Sequence, residues 1–188
     1  MKKKSIFAGL WGTALMLAAV FTLGFMFSSC GSDDDDNDKP YVYTNQAIVN
    51  GVTDPIIRVE VDVSDLAEGN YEIRFDLKDD GSKFFLVQLS GELHDGKIID
   101  LSKKEGLHNG KWYWRIDYGV SGITKILASG THAGSFPVFK SGTMYVKRIG
   151  KTGTEFEVRI KGTVVGTDKV TEYNIDLNWK GKAQEFIP

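Results

Sequence analysis

The sequence predicts an all-β domain, either an antiparallel β-sandwich or a small β-barrel of about eight to nine strands joined mainly by hairpins. Three observations lead to this prediction. Apolar and polar residues alternate with a period of two in several segments, and glycine, asparagine and aspartate fill the short stretches between those segments. No segment longer than a turn or two has the 3.6-residue period of an amphipathic helix.

The clearest predicted strands are four alternating segments, at residues 57–63, 71–77, 156–160 and 173–179. A strand with this pattern buries one face and exposes the other, which is typical of antiparallel sheets. Residues 84–89 are apolar on both faces, so a strand covered on both sides is expected there. One helical turn is expected over residues 102–106.

Turn residues mark four short connections, at residues 68–70, 79–82, 150–154 and 166–169. Connections of this length form hairpins, so the strands that they join are expected to be neighbours in a sheet. Residues 129–142 interrupt the strand rhythm for more than a dozen residues, and long unpatterned loops are often functional. Within this loop, Phe136 and Phe139 are expected either to fold over the mouth of a barrel or to close the open end of the core.

The first 29 residues have the three zones of a secretory signal. Three lysines follow Met1, an apolar stretch spans residues 6–27, and two serines precede Cys30, the only cysteine. A transmembrane helix is the alternative, but the stretch is interrupted by glycines and ends in a polar run. This ending resembles the lipobox of bacterial lipoproteins, although the family usually has leucine where Phe27 stands. The resemblance implies that residues 1–29 are a signal peptide and that Cys30 is the lipidated, palmitate-bearing residue.

A serine and a run of aspartates follow the cysteine: Ser32, Asp33, Asp34, Asp35 and Asp36. Like charges at this density predict a solvated linker, because they repel one another and have no apolar surface to bury. The run also resembles the export signal of surface lipoproteins in the Bacteroidota phylum. That resemblance implies a location in the cell outer membrane, facing the medium. Residues 30–40 are therefore expected to be the lipidated cysteine and its tether, and residues 41–188 a single all-β domain.

The charge balance excludes several classes of function. Without residues 1–29, which hold three lysines and no acids, the chain has 20 basic and 25 acidic residues. Five of these acids lie in the tether, so the remainder is close to neutral and nothing indicates a nucleic-acid surface. With Cys30 lipidated no free thiol remains, which excludes a disulfide scaffold, a cysteine-ligated zinc ion and a cysteine protease.

Residues 112–118 are the most informative stretch for function. Alternation places Trp112, Trp114, Ile116 and Tyr118 on one face of a strand and Tyr113, Arg115 and Asp117 on the other. Aromatic rings in this arrangement are either core residues or a platform on which a sugar ring stacks, with Arg115 donating hydrogen bonds to hydroxyl groups. The preceding Gly110-Lys111-Trp112 matches the G-x-W of the first lipocalin strand, although here it lies in the middle of the chain.

The three histidines, His94, His108 and His132, are far apart in sequence. No pair has the spacing of metal ligands on one element, so solvated loop histidines, no metal and no cofactor are predicted. If His108 and His132 meet at one end of the sheet, however, they would line a pocket there or hold a haem or a metal ion. The carboxylates lie mostly on polar strand faces, and no serine-hydrolase, phosphate-loop or dinucleotide motif is present, so no enzymatic activity is predicted.

Two functions remain open at this stage. The first is a surface-anchored, non-catalytic module that binds a glycan or small ligand through Trp112, Trp114 and Tyr118. The second is a structural or interaction subunit beside an outer-membrane protein, which would add a strand to an exposed sheet edge. The overall layout is similar to that of small β-rich lipoproteins of Bacteroidota whose roles are mostly undefined. Neither alternative involves nucleic acid, and in both the N-terminal lipid provides the contact with the membrane.

Overall fold

A computed structural model describes residues 41–150 and 153–186 as twelve strands and two short helices. The predicted signal peptide of residues 1–29, the predicted lipidation site at Cys30 and the predicted tether over residues 30–40, including Ser32 and Asp33 to Asp36, lie outside the described residues. No helix in the described part of the chain is long and apolar enough to cross a membrane.

The strands form two six-stranded sheets that pack face to face, so the fold is the β-sandwich, one of the two predicted alternatives. Sheet 1 has the order β2-β1-β11-β10-β9-β6 and contains β1 (Gln46–Val49), β2 (Val52–Pro55), β6 (Ile98–Asp100), β9 (Ser141–Arg148), β10 (Glu155–Val165) and β11 (Glu172–Lys182). Sheet 2 has the order β12-β3-β4-β5-β7-β8 and contains β3 (Arg58–Asp62), β4 (Asn70–Asp76), β5 (Lys83–Ser90), β7 (Arg115–Val120), β8 (Ile123–Ser129) and β12 (Gln184–Phe186). All described pairings are antiparallel except that of β12 with β3.

The predicted alternation determines which face of each strand is buried. In β4 the side chains of Tyr71, Ile73 and Phe75 point into the core, while those of Glu72 and Arg74 lie on the outer face. Aromatic pairs then join the two sheets across the core. The ring of Phe75 meets that of Trp179 edge to face at 5.8 Å between centroids, as expected for closely packed aromatic side chains.

The predicted hairpins are confirmed, with small additions at their turns. β9, β10 and β11 are sequential neighbours, and so are β4 and β5. In the turn between β4 and β5, the Ser82 amide donates a hydrogen bond to the Asp80 carboxylate at 2.9 Å. Between β3 and β4 the chain forms helix α1 (Val63–Ala67), because Asp62 caps the amides of Ser64 and Asp65. Helix α2 (Gly91–His94) follows β5.

Three sequence-based expectations need correction. The described residues form twelve strands rather than about eight to nine, because short edge strands of three or four residues lack a visible alternation. Residues 102–106 form no helical turn, since the amide of Glu105 donates to the carbonyl of Gly130 instead of to its own segment. The outer face of residues 84–89 is only partly covered, with the Arg74 guanidinium lying 4.0 Å from the centre of the Phe84 ring.

The long loop after β8 closes one end of the core. Phe139 is almost fully buried, and its ring meets that of Trp114 edge to face at 6.3 Å between centroids. Phe136 remains exposed. One of the two phenylalanines therefore completes the core, and the other lies on the surface.

We expect Gly162→Ala to destabilise the sandwich where β10 passes β9. A Cβ atom at Gly162 would lie 2.4 Å from the carbonyl oxygen of Ser141 and 2.9 Å from the Cα atom of Gly142. Because both neighbours are backbone atoms, the strands must separate, and the free energy of unfolding should fall by about 1–3 kcal/mol in urea denaturation.

Gly106→Ala is the matched control for this substitution. A Cβ atom at Gly106 meets nothing within 4 Å, so the same chemical change should leave the free energy of unfolding nearly unaltered. Equal losses for the two variants would contradict the steric explanation.

Candidate functional site

All three histidines of the chain lie close together at one end of the sandwich. His94 ends helix α2, His108 lies in the loop before β7, and His132 lies in the loop after β8. These loops are held together by main-chain hydrogen bonds, from Glu105 to Gly130 at 2.8 Å and from Gly130 to Trp114 at 3.0 Å. The fold therefore joins residues that the sequence separates by up to 38 positions.

His94 is a buried residue whose ring is held from both sides. Its Nδ1 atom lies 3.0 Å from the carbonyl oxygen of Ser90, and its Nε2 atom lies 2.9 Å from Oε1 of Glu105. A carbonyl oxygen only accepts hydrogen bonds, so Nδ1 carries a proton and Nε2 is the atom that faces the carboxylate.

His108 repeats this arrangement from the other side of Glu105. Its Nδ1 atom lies 3.0 Å from the carbonyl oxygen of Trp112, and its Nε2 atom lies 3.8 Å from Oε2 of Glu105. The centroids of the His94 and His108 rings are 5.6 Å apart. Both imidazoles therefore direct Nε2 toward a single carboxylate.

The carboxylate of Glu105 is largely enclosed and stays ionised. Burial raises the pKa of Glu105, but the hydrogen bond and attraction of His94, together with the Trp114 amide and His108, outweigh burial and hold the pKa below its usual value. The Trp114 amide donates to Oε2 at 3.4 Å. A Cβ atom on Gly130 would lie only 2.8 Å from Oε2, so a glycine there leaves room for the carboxylate.

Tyr113 joins the third histidine to this group. Its ring stacks on His108 with centroids 3.9 Å apart and planes within 7°. Its hydroxyl oxygen accepts a hydrogen bond from the His108 amide at 3.2 Å and lies 2.7 Å from Nδ1 of His132. His94, Glu105, His108, Tyr113 and His132 thus form one connected group, the histidine cluster.

A shallow groove adjoins the histidine cluster on the outer face of sheet 2. This aromatic groove is lined by Gln88, Lys111, Trp112, Tyr113, Arg115, Ser129 and Thr131 and has a volume of about 290 Å³. Gln88, Arg115 and Ser129 are register partners on three adjacent strands, so they form a row across the sheet. Tyr113 belongs both to the groove and to the histidine cluster.

A second opening, of about 360 Å³, leads directly to His94, Glu105 and His108. Leu93, Leu107 and Asn109 also line it. Lys111 lies on the border between this cleft and the aromatic groove and forms an ion pair with Glu92. The three clustered side chains are therefore mostly buried yet accessible to a small solute.

The structure divides the predicted aromatic platform. Trp114 is fully buried against Phe139, and Tyr118 is 4% exposed and stacks on Phe85. Both are therefore core residues and not the ligand contacts that the sequence predicted. They face inward because β7 directs that face of the strand toward sheet 1. Trp112 precedes the strand, does not follow its alternation, and lines the groove while partly exposed.

The remaining predicted residues do come together. Arg115 lines the aromatic groove. His108 and His132 both contact Tyr113, so the two histidines do meet at one end of the sheet, which was the condition set for a pocket there. Sequence reasoning did not identify His94 or Glu105. The sequence holds one signal for this group, the three-residue spacing from Glu105 to His108. No residue near His94 indicates that helix α2 ends beside the loop that contains Glu105.

Comparison of the chain with protein-family models, curated proteins and solved structures returned no match. Proposals about its function therefore rest on the geometry of the aromatic groove and of the histidine cluster.

Tyr113→Phe should loosen the histidine cluster without unfolding the domain. The His108 amide loses its acceptor and His132 loses its partner, so we expect the free energy of unfolding to fall by about 0.5–1.5 kcal/mol. The ring signals of His132 in NMR spectra should shift, whereas those of His94, which contacts Ser90 and Glu105 instead, should not.

The matched control is Tyr145→Phe, in which the same hydroxyl is removed from sheet 1, where the ring lies under the guanidinium of Arg159. It should leave all three histidine signals in place. Unchanged His132 signals in the Tyr113→Phe protein would show that the hydroxyl does not link the two residues.

Proposed function

We propose that the chain is a non-catalytic lipoprotein, anchored by lipid at Cys30 in the outer membrane and facing the medium, that binds a glycan or other small hydroxylated ligand in the aromatic groove. The lipobox-like end of residues 1–29 and the acidic run of residues 32–36 support the anchor and the location. The composition of the groove supports the ligand class.

The observation that carries the proposal is the combination of partly exposed rings with a row of polar side chains. Trp112 and Tyr113 lie beside Gln88, Arg115 and Ser129. A sugar presents an apolar face that packs on an aromatic ring and hydroxyl groups that bond to amide, guanidinium and hydroxyl side chains. The volume is near the lower end of the range of about 300–1,000 Å³ for small-molecule sites, which favours a small ligand.

The electrostatics of the groove favour a neutral ligand over an anion. Arg115 donates to Asp117 through Nε at 2.9 Å and through Nη2 at 2.7 Å, so its charge already has a counterion. Lys111 is paired with Glu92. With both cations compensated, the groove offers directed hydrogen bonds rather than uncompensated positive charge.

The lining of the groove favours binding over hydrolysis. Glycosidases place two carboxylates on either side of the scissile bond. Among the described residues that line the groove there is no aspartate, glutamate or histidine. The polar groups of the lining are an amide, two cations and hydroxyls, which can hold a sugar but do not supply an acid and a base for its cleavage.

A second candidate function is that of a structural or interaction subunit. Within residues 41–150 and 153–186, strand β2 pairs with β1 alone and its other edge has no partner strand, while Val52 on it is 59% exposed. An unpaired edge of this kind accepts an added strand from a partner. An outer-membrane protein would then be the partner, and the aromatic groove would be incidental.

Trp112→Ala should abolish glycan binding while leaving the fold intact. We would apply the purified lipidated protein in detergent to a glycan array and titrate each hit by tryptophan fluorescence. Loss of the ring should weaken binding at least tenfold, or about 1.4 kcal/mol. Far-UV circular dichroism and urea denaturation would show that the variant is folded.

Phe136→Ala is the matched control, because it removes an exposed ring outside the groove and should leave the affinity unchanged. Absence of binding to every glycan would overturn this proposal and direct the search to a protein partner, through cross-linking at β2 on intact cells.

Cys30→Ser should abolish attachment of fatty acid. Cells fed an alkyne fatty acid should label the wild-type protein and not the variant, because only the thiol forms the thioether to lipid.

A variant with Asp33 to Asp36 replaced by alanine should keep the label but become protected from protease added to intact cells. Labelling of Cys30→Ser, or unaltered protease access after loss of the aspartates, would contradict the anchor or the location respectively.

A further inference from the structure

Three potential metal ligands converge within the histidine cluster. One ring nitrogen of His94, one carboxylate oxygen of Glu105 and one ring nitrogen of His108 all lie within 4.8 Å of one another, and in both rings Nε2 is the nitrogen nearest to Glu105. Ligands of a tetrahedral ion with bonds of about 2.0–2.2 Å lie about 3.3–3.6 Å apart. Nε2 of His94 lies 2.9 Å from Oε1 of Glu105 and Nε2 of His108 lies 3.8 Å from Oε2, so side-chain rotations are needed to bring both nitrogens to this separation from one oxygen.

The outer contacts of the two imidazoles are those of metal ligands. Ligating histidines commonly donate the other ring N–H to a backbone carbonyl or carboxylate, which fixes the tautomer and orients the ring. His94 does so to Ser90 and His108 to Trp112, each at 3.0 Å. Both rings then direct Nε2 at the same carboxylate, so an ion bound between the three groups would be coordinated by both rings and by Glu105.

The positions of the three side chains are fixed before any ion binds. His94 is buried at the end of helix α2, and His108 is stacked on Tyr113. Glu105 is held by its main-chain hydrogen bond to Gly130 and by the Trp114 amide. A site with rigid ligands loses little conformational entropy when it binds an ion.

An entry path and a free coordination position are also present. The cleft lined by Leu93, Leu107 and Asn109 opens onto the three side chains, so an ion can enter from solvent. The same opening leaves room for a water molecule or a ligand atom as the fourth ligand.

From these observations we infer that His94, Glu105 and His108 form a binding site for one divalent transition-metal ion, of which Zn²⁺ is the best match. Two imidazole nitrogens and one carboxylate oxygen suit zinc and its neighbours in the first transition series. Ca²⁺ and Mg²⁺ prefer sites made only of oxygen ligands. The inference is independent of the glycan-binding proposal, because the groove and the ion use different side chains.

The test uses the lipidated protein in detergent, without a histidine tag, after removal of metal with EDTA. Titration with Co²⁺ should give visible absorption bands that saturate at one equivalent, and Zn²⁺ should displace them at micromolar concentration or below. His94→Gln, Glu105→Gln and His108→Gln should each weaken binding by at least about a hundredfold. His132→Gln is the matched control and should bind like the wild type, because His132 contacts Tyr113 and is not a ligand.

A second measurement keeps the test decisive if the buried His94 variant fails to fold. In NMR spectra of the wild-type protein, Zn²⁺ should shift the Nε2 signals of His94 and His108, while their Nδ1–H signals persist and His132 changes little. No saturation at one equivalent, equal binding by the Glu105→Gln and wild-type proteins, or equal loss in His132→Gln would overturn the site. The remaining explanation would then be a network of hydrogen bonds without an ion.

Discussion

Face-to-face packing of the two sheets is the constraint on which the rest of the structure depends. Each of the long strands must direct one row of side chains into the shared core, so the register of one strand decides which residues its neighbours expose. In β7 this buries Tyr118 and leaves Arg115 on the outer face, and Trp114, directly before the strand, is buried as well. The aromatic groove therefore begins where the strand does, with Trp112 and Tyr113 just before it.

The open end of the sandwich imposes a second requirement, because the core must be closed there by loops. Phe139 closes it from the loop after β8, and its contact with Trp114 is part of that closure. The segment from Leu101 to Trp114 crosses the same end, and it is tied down where Glu105 donates to Gly130. Loops that must pack together over a core bring side chains from distant parts of the chain into contact, and the histidine cluster forms at such a place.

The difference between alternating strands and the loops that close the core explains how much the sequence alone can predict. The alternating strands at residues 71–77 and 173–179 were predictable because a half-buried strand repeats its burial every two residues. The choice between sandwich and barrel was not, since both use the same alternation. The pairing of His94 with Glu105 has no periodic signal, because it depends on the ends of a helix and a loop whose relative position follows only from the packed sheets.

The aromatic groove and the histidine cluster are physically continuous, and this limits how independent their properties can be. Tyr113 forms part of the groove wall and stacks on His108, so whatever fixes the His108 ring also restricts the Tyr113 ring. A substitution that removes the Tyr113 ring would therefore change both the wall of the groove and the contact that holds the His108 ring, even though no ligating atom belongs to both sites.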